Sequence, residues 1–201
     1  NLRMKWHSVS DYWLPVAYPW DILSANEFFI SKLDETVIQG TVEKNVTLSG
    51  KMVLGEKSTI LSGTYIEGNV IIGRNCKIGP NAFLRNGTVI GDNCHIGQAV
   101  EIKNTLIMDN TKIPHLSYIG DSVVGSGVNL AAGTITANLR HDSGNVKSYV
   151  AGKLVDTGRR KFGAVFGDRV HTGINTSIYP GRKLWPGTTT VPGEVVREDK
   201  I

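Results

Sequence analysis

Large aliphatic side chains recur at every sixth position through the middle of the chain. The series runs Val42, Leu48, Leu54, Ile60, Ile66, Ile72, Ile78, Leu84, Ile90, Ile96, Ile102 and Met108 without a break. With 40% hydrophobic residues overall, such an unbroken run has odds of roughly two in 100,000. A six-residue beat is neither the period of a helix nor that of a lone strand. The position two residues earlier is mostly small or compact, as at Ser58, Thr64, Val70, Cys76, Ala82, Thr88 and Cys94. The position after is often glycine, as at Gly55, Gly73, Gly79, Gly91 and Gly97. Positions i and i−2 share one face of a short strand, and glycine then frees the backbone to turn. Three such units close a coil of about 18 residues, which predicts an all-β fold, a parallel β-helix of hexapeptide repeats.

The beat also predicts where the column is interrupted. Beyond Met108 it slips once: Ile113 and Ile119 keep the spacing, and Val124 and Leu130 resume after a five-residue step. It dissolves over residues 139–161 and returns at Phe166, Thr172, Ile178 and Leu184. The interruption reads as an excursion in which Val146, Tyr149, Val150, Gly152, Leu154 and Val155 form a projecting hairpin. A long loop in a compact solenoid is usually functional. Ahead of the repeat, Trp20–Phe29 has apolar residues at helical spacing and predicts a short helix that caps or precedes the first coil. The charged residues 193–201 are expected to fray. The chain divides at this level into an N-terminal part, 1–35, and a β-helix, 36–201, carrying the 139–161 hairpin.

Composition narrows the classes. The 201 residues are 20% charged with a net charge of +4, a mild balance that fits a phosphorylated ligand better than a nucleic acid. No apolar run reaches the roughly 18–20 residues of a membrane helix, and the N-terminus has no signal-like core. Two cysteines make no disulfide framework, so a reducing, cytoplasmic setting is expected. Cys76 and Cys94 are 18 apart, both at i−2, and should stack one coil apart as buried small hydrophobes. Arg85 and Lys103 are also 18 apart, so two cations share one face on neighbouring coils. Like charges at that spacing repel unless an anion lies between them.

Three stretches carry a resemblance: Glu101-Ile102-Lys103-Asn104, Pro114-His115-Leu116-Ser117-Tyr118-Ile119-Gly120-Asp121, and Val128 to Asn138. Together they resemble the acetyltransferase domain of the bifunctional glucosamine-1-phosphate acetyltransferase and N-acetylglucosamine-1-phosphate uridylyltransferase family. The likeness runs from about Val37 to Gly193 and is strongest over Gly79–Asn138. It implies a left-handed β-helix, assembly as a homotrimer or dimer of trimers, and acetyl-CoA as co-substrate without a metal for acetyl transfer. Tyr18-Pro19-Trp20-Asp21 looks like the end of a sugar-phosphate nucleotidylyltransferase domain leading into its linker helix, and the chain opens on Asn1 rather than Met. A nucleotidylyltransferase step would need Mg²⁺ and a preceding domain. The long hairpin ending Gly158-Arg159-Arg160-Lys161 looks most like the archaeal branch.

The resemblance also implies roles. The activity would be N-acetylation of glucosamine-1-phosphate, or of galactosamine-1-phosphate, on the route to a UDP-N-acetylhexosamine. An ammonium cannot attack a thioester, and His115 matches the general base that removes its proton. Glu101 would orient that imidazole or raise its basicity. Arg85, Lys103, Tyr118 and Lys147 match contacts to the sugar phosphate, and Asn129 matches a contact to the amino sugar. Ala132, through its backbone N–H, and Asn138 match contacts to the acetyl-CoA arm. Arg159, Arg160 and Lys161 are candidates for the CoA phosphates. Ile174 stands where the family commonly has a small hydroxyl residue, and Pro192 replaces a small residue near the CoA channel. A zinc enzyme of similar fold would need a closely spaced histidine pair, and no two histidines here fall within six residues. The non-enzymatic alternative is a β-helix that only oligomerises or regulates an attached nucleotidylyltransferase. It would not require His115, Tyr118, Asn129 and Asn138 in register.

Overall fold

A computed structural model describes residues 4–10 and 12–201. Residues 1–3 and 11, part of the expected N-terminal unit, lie outside the described residues. The chain from Val37 onward winds through three parallel sheets of eight, five and eight strands, one strand of each per coil. The first sheet begins at Val37–Ile38 and ends at Arg182–Leu184. The second runs from Thr41–Val42 to Lys112–His115, and single bridges continue it through Asn129, His171 and Thr189. The third runs from Thr47–Ser49 to Val195–Val196. The six-residue beat points into the column: Leu54, Ile60, Ile66, Ile72, Ile78, Leu84, Ile90, Ile96 and Ile102 are buried. Cys76 and Cys94 stack in that core as free thiols, the Cys94 N–H lying 3.4 Å from Cys76 Sγ.

The register departs from the sequence reading in one respect. Met108 is not an inward residue; Ile107 takes that place, buried, and Met108 is half-exposed. The beat therefore slips twice, after Ile102 and after Ile119. Ile71 pairs with Val89, but Val89 pairs with Leu106 and Leu106 with Val123, so two successive coils are one residue shorter. The cause is the corner between the third and first sheets. In the longer coil Asn86 and Gly87 make this turn, with Gly87 at φ 85°. In the shorter ones it is made around a single left-handed residue, Asn104 (φ 44°) and then Asp121 (φ 49°). Asn and Asp are the non-glycine residues that best tolerate this region. The first coil is also more open than the pattern implies, with Val42 exposed.

Helix α1 (Asp21–Ser31) forms where the apolar spacing predicts, but it does not cap the end of the column. It lies along the side, over the corner between the third and first sheets. Asn69 Nδ2 donates to the Ile30 carbonyl at 3.2 Å, Asn26 Nδ2 to the Gly87 carbonyl at 2.8 Å, and Asn104 Nδ2 to Glu27 Oε1 at 2.8 Å. A helix of this length is about 16 Å long and coils repeat about 4.8 Å apart, so it straps several coils. Buried Leu23 and Trp20 pack with Val123, Val146 and Phe162.

The excursion is a two-stranded antiparallel hairpin, Lys147–Val150 with Lys153–Asp156. Its turn, Ala151–Gly152, has positive φ at both residues (46° and 78°), the signature of a tight type I′ connection. It leaves and rejoins the column at the bridged pair Leu139 and Lys161. None of the helices among the described residues is long and apolar enough to cross a membrane.

Candidate active site

Alternate residues of the third sheet face outward, and four candidate side chains, Arg85, Glu101, Lys103 and Tyr118, lie on its strands. Glu67 and Arg85 are register partners, and Lys103 follows one coil later, itself opposite Gly120. Arg85 and Lys103 line one small cavity of about 310 Å³ with Glu27, Glu67, Asn86 and Asn104. Their mutual repulsion is offset by carboxylates. Arg85 Nη1 lies 3.0 Å from Glu101 Oε1, with Glu67 at 3.8 Å. Lys103 Nζ lies 2.9 and 3.0 Å from the two oxygens of Asp121. The Arg85 pair is over one-third exposed, a setting in which an ion pair contributes at most about 1 kcal/mol. The Asp121 side chain is only 3% exposed, so its charge depends on the donors around it.

Tyr118 lies along the same face. Its ring passes over Gly120, where a Cβ would come within 2.4 Å of the phenol oxygen. The bare backbone there lets Asn138 Nδ2 reach Tyr118 Oη at 2.9 Å and Asp121 Oδ2 at 2.5 Å. Burial, and then the charges of Asp121 and Glu101, raise the phenol's pKa above its ordinary value.

His115 stands at the opposite edge of this face, on the corner between the second and third sheets, exposed. Its imidazole makes no hydrogen bond among the described residues. Glu101 does not orient it, because that carboxylate is turned to Arg85. What surrounds His115 is a line of corner residues set by the register. Gln98 is its partner one coil earlier. The bridges joining Lys112, Asn129, His171 and Thr189 carry three residues on to His115, Ala132, Ile174 and Pro192. Backbone bonds repeat this alignment, Gly133 N–H donating to Leu116 O, Asn175 to Ala132 O, and Gly193 to Ile174 O. The Ala132 N–H itself has no partner among the described residues. Ile174, the departure from the family's small hydroxyl residue, is exposed on this same edge.

The remaining candidates lie apart. Asn129 is exposed on the second sheet, three residues before Ala132. Lys147 is on the hairpin, at a larger cavity of about 640 Å³ shared with His141, Tyr179 and Arg182. Arg160 and Lys161 are exposed at the hairpin base. Arg159 is engaged elsewhere: Nη1 donates to Ser24 Oγ at 3.0 Å and Nη2 pairs with Glu27, tying the hairpin to α1. The sequence reading assigned nothing to Asp121 or Glu27. A signal for Asp121 was present, since Glu67, Arg85, Lys103 and Asp121 follow one another at 18-residue spacing, two cations flanked by two acids. Glu27 and Arg159 are 132 residues apart and carry no such signal.

With this geometry established, comparison with known proteins gives the family. Residues 66–183 match the family described as the GMPPB C-terminal domain. The chain belongs to that family. Among curated relatives of this GMPPB C-terminal domain, a "Bifunctional sugar-1-phosphate nucleotidylyltransferase/acetyltransferase" of Sulfurisphaera tokodaii is 45% identical over 204 residues. A "Bifunctional protein GlmU" of Methanococcus maripaludis is 51% identical over 184 residues. These alignments take in 99% and 92% of the chain but 51% and 44% of the relatives, so the chain spans about half their length. Among solved structures, a UDP-N-acetylglucosamine acyltransferase is 14% identical with a TM-score of 0.32, over 79% of this chain and 65% of its own.

Proposed function

We propose that this chain is the acetyltransferase part of a bifunctional sugar-1-phosphate enzyme and moves an acetyl group from acetyl-CoA to the amine of glucosamine-1-phosphate or galactosamine-1-phosphate. The observation that carries this reading is the corner where the imidazole of His115 sits one coil from the N–H of Ala132, neither with a hydrogen-bond partner among the described residues. The amine nitrogen attacks the thioester carbonyl carbon as His115 takes its proton. The carbonyl oxygen becomes an oxyanion and receives the Ala132 N–H. When the intermediate collapses the C–S bond breaks, and the proton passes from His115 to the departing thiolate. The products are the N-acetylated sugar phosphate and free CoA. Base catalysis of this kind contributes about 10²–10⁴-fold, and an oxyanion donor about 10²–10³-fold.

Arg85, Lys103, Tyr118 and Asn129 are assigned to the sugar phosphate, as is Lys147. The Asn138 carbonyl faces the acetyl-CoA arm, and Arg160 and Lys161 reach for the CoA phosphates. His115 and the hairpin lysine lie at separate edges of one protomer, which favours a cleft completed by a second copy in a homotrimer. Residues ahead of α1 fit the end of a nucleotidylyltransferase domain. The test is thiol release from acetyl-CoA with a panel of aminosugar phosphates. Turnover with one of them that is lost in His115→Ala supports the reading; wild-type turnover in that variant removes His115 from the base role.

A further inference from the structure

Asp121 accepts more hydrogen bonds than any other carboxylate among the described residues. It is buried, and it accepts from Lys103 Nζ at 2.9 and 3.0 Å, from Asn104 Nδ2 at 3.1 Å and from Asn138 Nδ2 at 2.5 Å. It thus joins side chains from three successive coils. A carboxylate has no proton to donate, so the Asn138 amide must turn its nitrogen inward. Both protons of that nitrogen are then committed, one to Asp121 and the other to Tyr118 Oη at 2.9 Å. Two consequences follow for the outward face. The Asn138 carbonyl oxygen is left as an acceptor. The Tyr118 oxygen already accepts from Asn138, and its own proton is given to no group among the described residues, so it is left as a donor.

We infer that Asp121 is a positioning residue that fixes the hydrogen-bonding polarity of this face, so that Asn138 accepts from the ligand and Tyr118 donates to it. Asn138 then selects a donor on the acetyl-CoA arm, such as an amide N–H, and Tyr118 an acceptor on the sugar phosphate. A bare phosphate oxygen, which only accepts, is rejected by Asn138 and left to Lys103 and Arg85. The arrangement is held from behind: Asn104 bridges Asp121 to Glu27 of α1, and Glu27 is paired in turn with Arg159 of the hairpin base. This inference rests on the face being the ligand site proposed above, but its polarity can be read without any ligand.

The substitution Asp121→Asn keeps the left-handed turn, which asparagine tolerates, and removes the charge that orients the amide. The first readout is solvent exchange of the Asn138 side-chain amide protons by NMR, with the signals assigned through their loss in Asn138→Ala. Exchange at least tenfold faster in Asp121→Asn is expected; unchanged exchange overturns the inference, whatever the enzyme assay gives. The second readout is kinetic. Asp121→Asn should raise the KM of acetyl-CoA, the substrate assigned to Asn138, at least tenfold, and combining it with Asn138→Ala should add little to that KM, because one acts through the other. Multiplying effects would make Asp121 merely structural. Should Asp121→Asn fail to assemble, Asn138→Asp decides the matter. It keeps an outward acceptor but sets a second carboxylate against Asp121, so it should be at least as impaired as Asn138→Ala. Near-wild-type behaviour of Asn138→Asp overturns the inference. A wild-type protein that transfers acetyl to no aminosugar phosphate would instead end the functional proposal and leave the exchange result to stand by itself.

Discussion

Ala132 stands one coil beyond His115 on the same corner of the column, with its N–H unpaired among the described residues. In the proposed function the thioester carbonyl lies between these two groups, the imidazole as proton acceptor and the N–H as donor. The imidazole is exposed and makes no hydrogen bond among the described residues, so its removal should have no structural cost. His115→Ala should lower acetyl transfer by about 10²–10⁴-fold while the thermal midpoint stays where it is. Stopped acetyl transfer together with a collapsed melting transition would assign His115 to the fold instead.

Gly120 is the second point of sensitivity. A methyl group there would sit 2.4 Å from Tyr118 Oη and 2.8 Å from Asn138 Nδ2, and both must move. The backbone at this residue is not left-handed, so the effect is purely steric. Gly120→Ala should therefore raise the KM for the sugar phosphate at least tenfold, with a stability loss of about 1–3 kcal/mol from overpacking. Steady-state kinetics and denaturant melts measure the two separately.

Arg159 separates structure from ligand binding at the hairpin base. With its guanidinium spent on Ser24 and Glu27, Arg159→Ala should cost about 1–2 kcal/mol and loosen α1. Hydrogen exchange over Asp21–Ser31 is the check. Arg160→Ala and Lys161→Ala, in contrast, should leave stability unchanged and raise the KM for acetyl-CoA. An Arg159 variant that is fully stable but weak for acetyl-CoA would reverse these assignments.

Tyr118 gives the protein an alkaline dependence. Its phenol is held above the ordinary value by burial and by Asp121 and Glu101. The folded state keeps this proton where the unfolded chain has begun to lose it, so the contribution to stability is complete below the unfolded pKa near 10. It is lost as pH rises through the higher folded value. Denaturant melts from pH 8 to 11 should show a decline that is shallower in Tyr118→Phe.

The column was legible in the sequence because its period is carried by many independent positions. A core residue every six, flanked by small residues and glycine, admits few other folds. Met108 shows where that reasoning stops. Both Ile107 and Met108 are acceptable core residues, and only the one-residue turn at Asn104 decides which of them faces inward. Helix α1 was recognisable by its apolar spacing, but its seat along the side depends on Asn26, Glu27, Asn69 and Asn104, polar residues with no periodicity. The stacking of Arg85 on Lys103 followed from spacing alone. The same spacing signals Asp121, 18 residues beyond Lys103, but not Glu101, because its ion pair with Arg85 forms diagonally across the face.

The hairpin leaves the column at Leu139 and returns at Lys161, and these two residues are bridged to one another. Phe162 N–H closes the same junction by donating to Asn138 O at 3.0 Å. The stem beyond it is still moored to the column, with Val146 buried beside Trp20 and Phe162 and Ser148 Oγ donating to Gly181 O at 2.7 Å. Only the tip around Gly152 stands clear of neighbours, so that is where the finger is free to vary in length while the inward column keeps its count.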